Sequence, residues 1–155
     1  MSSSGTNDPT GAEAWASMAL PSYEKSQYTP EVAPDFRGIK IWAPARISRS
    51  TKTRIPLFGL VQLGETELAG MGIDDRHPVR AVVVGAVVAG TSAPFVGNAV
   101  LQAPLLPAGE GDPVREPFAV DLCEAVGMPP GVGKYFVFAS VGPFVAVAVT
   151  VEVVG

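Results

Sequence analysis

The sequence predicts an all-β protein, an antiparallel β-sandwich of the immunoglobulin-like or jelly-roll type with about seven or eight strands. Three observations predict this fold class. The 17 glycines and 15 prolines lie in short clusters between apolar runs rich in valine, and short strands joined by tight turns have this composition. The clusters recur about every ten residues, which is the usual spacing of strands in a sandwich. No long helix-favouring run of charged residues interrupts them.

The length and composition also predict a single domain with little polar surface. A chain of 155 residues is long enough to bury a genuine core. Charged residues make up 17% of it, compared with about a quarter in typical globular proteins. The formal net charge of −4 at pH 7 argues against a general affinity for polyanions. Because a monomer normally carries more charge on its surface, the composition favours self-association.

Residues 1–35 are expected to form an extended or disordered N-terminal arm, followed by a β-sandwich domain over residues 36–155. The first thirteen residues are small and polar, so they bury too little area to offset the entropy of ordering. Trp15 and Leu20 lie in the apolar patch that follows. The arm is either a disordered leader or a clamp whose Trp15 and Leu20 anchor on a neighbouring subunit. Neither a signal peptide nor a membrane span is indicated, so we expect a cytoplasmic protein.

The first half of the domain contains four segments that predict strands. Folded structure is expected to begin near Phe36, and Glu65–Ala69 is expected to form a short helical turn. Gly85 indicates a bulge or a close backbone approach. The four segments are RGIKIWAP, ARISRSTKTR, PLFGLVQLG and VRAVVVGAVVAGT.

The second of the four predicted strand segments, ARISRSTKTR, is basic. Six of the 11 Lys and Arg residues lie between Arg37 and Arg54. Such a concentration is a candidate patch for an anion or an acidic partner, although a solvated or ion-paired strand edge has the same composition. Only Phe36 and Trp42 are interleaved as aromatic residues, which argues against nucleic-acid binding. The candidate patch comprises Arg46, Arg49, Lys52 and Arg54.

The second half of the domain predicts four further strands, two of them in a closing hairpin. APFVGNAVLQAPL forms the first, and REPFAVDLC forms the second, which runs through Val120 and Leu122. The chain then closes with a hairpin over Lys134–Val154 that turns at Gly142 and Pro143.

Both strands of the closing hairpin are apolar on both faces. Every odd position from Val145 to Val153 is valine, and period-two geometry predicts that this valine face lies in the core. The opposite face is also mostly apolar, so it is covered either by the rest of the chain or by a second copy. We expect a homo-oligomer with its interface near this hairpin. The predicted interface residues are Trp15, Leu20, Phe136, Phe138, Phe144, Ala146 and Ala148.

Three groups of residues are candidate chemical sites. Asp74, Asp75 and His77 have the chemistry of metal ligands or of a base, but a single histidine favours a capped turn. Cys123 requires an imidazole to become a nucleophile, and a free cysteine is usually a small buried hydrophobe. The GVGK segment lacks the remainder of a phosphate-binding loop. No catalytic residue, metal or cofactor is predicted.

These observations favour a non-enzymatic structural or assembly subunit, a self-associating β-sandwich. The alternative is a β-sandwich module that binds a small molecule or carbohydrate, with Tyr23, Tyr28 and Trp42 as its aromatic rim. A third hypothesis, a small enzyme, depends on Asp74, Asp75, His77 or Cys123.

Overall fold

The computed structural model describes residues 28–48, 54–107, 111–129 and 131–155. It confirms the all-β sandwich, with nine strands and two short helices in the described residues. The strands are β1 (Gly38–Trp42), β2 (Arg46–Ser48), β3 (Pro56–Leu63), β4 (Val79–Val88), β5 (Phe95–Leu105), β6 (Val114–Asp121), β7 (Gly133–Val141), β8 (Phe144–Val145) and β9 (Val149–Val154), and the helices are α1 (Glu65–Gly70) and α2 (Leu122–Val126).

The strands form two sheets that enclose one main core. One sheet has the order β1-β3-β6, and the other has the order β2-β9-β7-β4-β5 with β8 paired to β7. Among the described pairs, only β2 and β9 run parallel. Leu57 and Phe118 of the three-stranded sheet meet Val84 and Val137 of the six-stranded sheet in this core, and all four are buried. The apolar contact between the two layers stabilises the fold.

The short helix predicted at Glu65 is confirmed as α1, while α2 corrects a prediction. Leu122 was expected to continue a strand, but it begins α2 instead. The Oδ1 atom of Asp121 accepts a hydrogen bond from the amide of Cys123 at 3.2 Å, which caps the helix. The helix ends at Gly127, whose φ of +66° favours glycine.

Three glycines allow other groups to approach the backbone closely. A Cβ atom at Gly97 would overlap the carbonyl oxygen of Ala125 in α2, so α2 lies directly on β5. A Cβ atom at Gly85 would overlap the ring of Phe138, which confirms the predicted close approach. Gly59 and Phe118 form the same kind of cross-strand pair inside the core.

The closing hairpin contains a β-bulge that the sequence did not reveal. Val141 pairs with Phe144 and Ser140 with Val145, but Val137 pairs with Val149. The last strand therefore has one residue more than β7 over residues 146–148, and an extra residue inverts the faces of all residues that follow.

The inversion makes the predicted continuous valine face wrong. Val145 and Val147 are 69% and 89% exposed, whereas Val151 and Val153 are buried. Ala146, which was expected on the opposite face, lies in the core, and its amide donates to the carbonyl oxygen of Ala139.

Residues 28–37, which we call the strap, lie against the outward side of the three-stranded sheet. The ring of Tyr28 stacks on that of Trp42 with 4.8 Å between centroids and lies 5.5 Å from that of Phe58. Gln62 of β3 contacts the other end of the strap and is completely buried. Residues 28–35 of the strap are the described part of the region predicted as an arm, and Trp15 and Leu20 lie outside the described residues.

Candidate association surface

The side of the six-stranded sheet that faces away from the core is apolar, and we call it the outer face. Alternation along β4 and β7 defines it, since Val82, Val84 and Val137 face the core while Val83 and Phe136 do not. Phe136 is 42% exposed and Val83 is 38% exposed. Large apolar side chains are thus accessible on both central strands of the sheet.

Strand registers arrange the side chains of the outer face in rows, and Phe136 pairs with Val87, four residues along β4 from Val83. Phe138, Gly85 and Val96 form one row across β7, β4 and β5. The neighbouring row on one side contains Ser140, Val83 and Asn98, and Ala81 pairs with Val100 beyond it. The exposed large side chains of the outer face are Val83, Val96, Val100, Phe136 and Val145.

Phe138 stabilises the outer face by covering Gly85. The end of its ring lies where a Cβ atom of residue 85 would be, and the carbonyl oxygen of Phe95 lies 2.7 Å from the same point. An aromatic ring across a strand glycine replaces the packing that the glycine lacks. Phe138 therefore acts in the fold itself, whereas Phe136 is the more exposed aromatic side chain.

Charged residues of both signs border the outer face at one end. Glu152 of β9 pairs in register with Arg46 of β2 and with Lys134 of β7. The Nε atom of Arg46 lies 4.0 Å from Oε1 of Glu152, and both side chains are more than half exposed. Exposed ion pairs of this kind contribute little stability. The border carries no single sign of charge that would select a charged partner.

The predicted interface residues divide between the surface and the core. Phe136 and Phe138 lie on the outer face, and Ala148 is exposed within the bulge. Phe144 is half-buried and packs on the core that contains Ala146. Ala146 is therefore withdrawn from the predicted surface, because the bulge reverses the alternation on which its assignment depended.

The predicted basic patch is described only at Arg46 and Arg54, since Arg49 and Lys52 lie outside the described residues. Arg46 is near Glu152, and the positive charge of Arg54 acts on Asp121. A third basic residue of this region, Arg37, has its Nε atom 3.5 Å from Oε1 of Glu67. Each of these three cations thus has an acidic neighbour.

Asp74 and His77 lie in an exposed turn. The Oδ1 atom of Asp74 accepts hydrogen bonds from the amides of Arg76 and His77 at 2.8 and 2.9 Å. It also lies 3.0 Å from Nδ1 of His77. The bond from the Arg76 amide is the main cause that lowers the pKa of Asp74. In the described parts of the chain, no three His, Cys, Asp or Glu residues are placed to hold a metal ion.

Cys123 is buried in α2, as expected for a free cysteine. Loss of solvent and the negative charge of Asp121 raise the pKa of its thiol to about 11. The thiolate that a nucleophile requires is therefore scarce at neutral pH.

The aromatic rim proposed for a carbohydrate site is described at two of its three members. Tyr28 is buried, and its ring stacks on that of Trp42. The stacked faces of these two rings are in contact with each other and so are closed to a sugar ring. Tyr23 lies outside the described residues.

Sequence reasoning missed four residues of the outer face, namely Val83, Val96, Val100 and Val145. A signal for Val83 was present, because valine occupies both parities of VRAVVVGAVV. A strand that is apolar on both faces needs cover on both faces.

Comparisons with known proteins give no match: no family model, no curated protein and no solved structure resembles the chain. Neither helix of the described residues has the length and apolar character needed to span a bilayer.

Proposed function

We propose that this protein is a non-enzymatic structural subunit that associates with copies of itself through the outer face of its six-stranded sheet. The observation that supports the proposal is the set of exposed apolar side chains on this face, which includes Phe136, Val96 and Val100. A surface with several large exposed apolar side chains marks interaction sites in water-soluble proteins.

A second copy is the partner that best fits the shape and size of this surface. Five strands spaced about 4.8 Å apart give a width of about 24 Å, and the ten residues of β4 give a length of about 33 Å. The footprint is at most about 800 Å², which is the area that a stable interface buries on each partner. Another flat sheet matches such a surface, and packed sheets stack face to face.

The opposite side of the sandwich supports the same conclusion. The strap covers the outward side of the three-stranded sheet, so that Phe58 and Leu60 are buried by the chain itself. No described segment plays this role for Val83, Val96 and Val100 of the outer face. Because its border carries both signs of charge, the outer face suits a partner of its own composition.

The proposal is tested by the native mass of the protein and of a surface variant, measured by sedimentation velocity over a range of concentrations. We expect a discrete oligomer for the unchanged chain. The double variant Phe136→Lys/Val96→Lys places two charges in the contact, and we expect it to weaken association at least about a hundredfold. The matched control is Val132→Lys, because Val132 is 57% exposed but precedes β7.

A monomer for the unchanged chain at all concentrations would overturn the proposed function. A chain of residues 28–155 that associates when the full chain does not would show that residues 1–27 cover the outer face. Equal loss of association in the control variant would show that added positive charge, and not its position, is responsible. Circular dichroism and thermal melting establish that each variant is folded.

A further inference from the structure

The groove beneath the strap has an aromatic pocket at one end. Trp42, Phe58 and Ala119 come from three different strands of the three-stranded sheet and pack around Tyr28. Tyr28 is 3% exposed, so the pocket encloses almost the whole side chain. This pocket fits an aromatic residue at the start of an extended segment.

The other end of the groove binds main-chain oxygens. The Nε2 atom of Gln62 donates toward the carbonyl oxygens of Ala33, Pro34 and Phe36 at 3.1, 3.1 and 2.8 Å. Nζ of Lys40 donates to a fourth carbonyl oxygen, that of Glu31, at 3.3 Å. The groove therefore holds the strap mainly by one aromatic anchor and by its backbone.

Closing the strap leaves one buried polar atom without a partner. The Oε1 atom of Gln62 is inaccessible, and no donor among the described residues reaches it. Water would bond to this oxygen if the strap were released, so its burial offsets part of the gain from the three Nε2 contacts. The strap is thus bound less tightly than its contacts alone indicate.

The junction between the strap and the sandwich depends on a glycine. Gly38, the first residue of β1, has a φ of +141°, a conformation that residues with a side chain rarely adopt. A Cβ atom there would lie 3.5 Å from the ring of Phe36 and 3.8 Å from that of Phe144. These are ordinary contacts, so the dihedral angle and not the space requires glycine.

We propose that the strap is an exchangeable arm: residues 28–37 of one copy bind the groove of a second copy, and Gly38 is the hinge. The contacts between strap and groove are the same whether they form within one chain or between two. Reciprocal exchange gives a closed two-fold dimer. Because Gly38 pairs with Gln62 of its own sheet and Phe36 is only two residues away, the two Gln62 side chains lie close together in this dimer. The inference shares the assembly role proposed above, but it uses a different surface and is tested separately.

The first test changes the hinge in a chain that also carries Phe136→Lys/Val96→Lys, so that the outer face does not contribute. In the closed strap, residue 38 has a φ of +141°, which strains an alanine at that position. When the strap extends to a neighbour, the φ of residue 38 is free to take a β value, so Gly38→Ala favours the exchanged form. We expect at least about a tenfold increase in the dimerisation constant, measured by sedimentation equilibrium after refolding at high concentration. Gly70→Ala is the control, because its Cβ atom meets nothing within 4 Å.

The second test uses two full-length variants with complementary defects. Tyr28→Ala removes the anchor of the strap and leaves the groove intact, while Gln62→Glu places a carboxylate against carbonyl oxygens and leaves the strap intact. Only a mixed dimer contains one unaltered strap in one unaltered groove. We expect native mass spectrometry of the mixture to show the mixed dimer in several-fold excess over either homodimer.

The outcomes separate this inference from the proposed function. A Gly38→Ala chain that is less stable but no more dimeric, together with a mixture that remains monomeric, would show that the strap closes only on its own sheet. Dimers that form in the mixture in statistical proportion would also overturn exchange. An oligomer that is lost in Phe136→Lys/Val96→Lys and unaffected by Gly38→Ala would leave the outer face as the sole association surface.

Discussion

At the scale of single residues, the only cysteine of the chain illustrates how surroundings determine chemistry. Cys123 shares α2 with Leu122, and both are buried. Desolvation is the largest cause that raises its pKa, and the charge of Asp121 adds to it. The pKa of Asp121 is itself raised, chiefly by burial. The interpretation of Cys123 as a buried thiol, which follows from the general tendency of a free cysteine to be buried, is therefore confirmed.

The raised pKa predicts slow alkylation of the folded protein. With a pKa of about 11 in place of 9.0, the folded chain has about a hundredfold less thiolate at pH 8 than the unfolded chain. We expect iodoacetamide to react correspondingly slowly, with a rate that still rises as the pH passes 10.

Asp121→Asn serves as the comparison for this measurement. Asparagine retains the capping oxygen but removes the negative charge, so the pKa of Cys123 falls while desolvation keeps it above 9.0. Equal alkylation rates for folded and unfolded protein at pH 8 would contradict the buried position of the thiol.

At the scale of elements, the bulge at residues 146–148 determines which valines are buried. Its sequence, Ala146-Val147-Ala148, carries no glycine or proline that marks an interruption. Valine and alanine alternate from Val145 through Val149, so either register places apolar residues on both faces. Register is weakly specified in such a strand. For this reason the sequence predicted the hairpin and its turn, but not the inversion within it.

Deletion of Val147 is predicted to leave the pairing of the hairpin intact. The shortened strand then matches β7 residue for residue, from the Val141–Phe144 pair to the Gly133–Val153 pair. We expect the free energy of unfolding to change by less than about 1 kcal/mol, since an exposed residue is removed from an irregular segment.

Deletion of Thr150 is the matched change inside β9. It moves Val151 and Val153 from the core to the outer face, or else breaks the pairing with β7. We expect a loss of about 3 kcal/mol or more, because two buried valines are exposed. Chemical denaturation measures both variants, and a larger loss for the Val147 deletion would contradict the assignment of the bulge.

At the scale of the whole molecule, the fold class was predictable while the strand order was not. The class follows from composition and from the spacing of turns, both of which are local properties. The β1-β3-β6 sheet and the parallel β2–β9 pair join segments that are distant in the sequence, and no periodicity within a segment specifies its neighbour. The strap was unexpected for the same reason, since its cover for Phe58 and Gln62 depends on long-range contacts.

The candidate surface was predicted in part. Phe136 and Phe138 were named because two adjacent apolar strands need cover, and the structure places both on the outer face. Val96 and Val100 follow only from the pairing of β5 with β4.

The balance of charge on the outer face predicts how association responds to salt. The exposed centre of the face is apolar, and its border combines Arg46, Glu152 and Lys134. We expect the association constant to change by less than about twofold between 50 mM and 500 mM sodium chloride, and to rise in sodium sulfate. Sedimentation measurements of the unchanged chain test this.

A steep loss of association in sodium chloride would show that the charged border, and not the apolar centre of the outer face, forms the contact. Lys134→Gln provides the control for that outcome, since it removes one cation from the border and leaves Phe136 unchanged.

The pairing of Gly85 with Phe138 has a consequence for how this chain can diverge. Any side chain added at residue 85 meets the ring of residue 138, so neither position can vary freely while the other is kept. Gly59 and Phe118 are linked in the same way. In descendants of this sequence, each glycine and its aromatic partner should be inherited together or replaced together, so that these two pairs form a fingerprint of the fold that does not depend on overall identity.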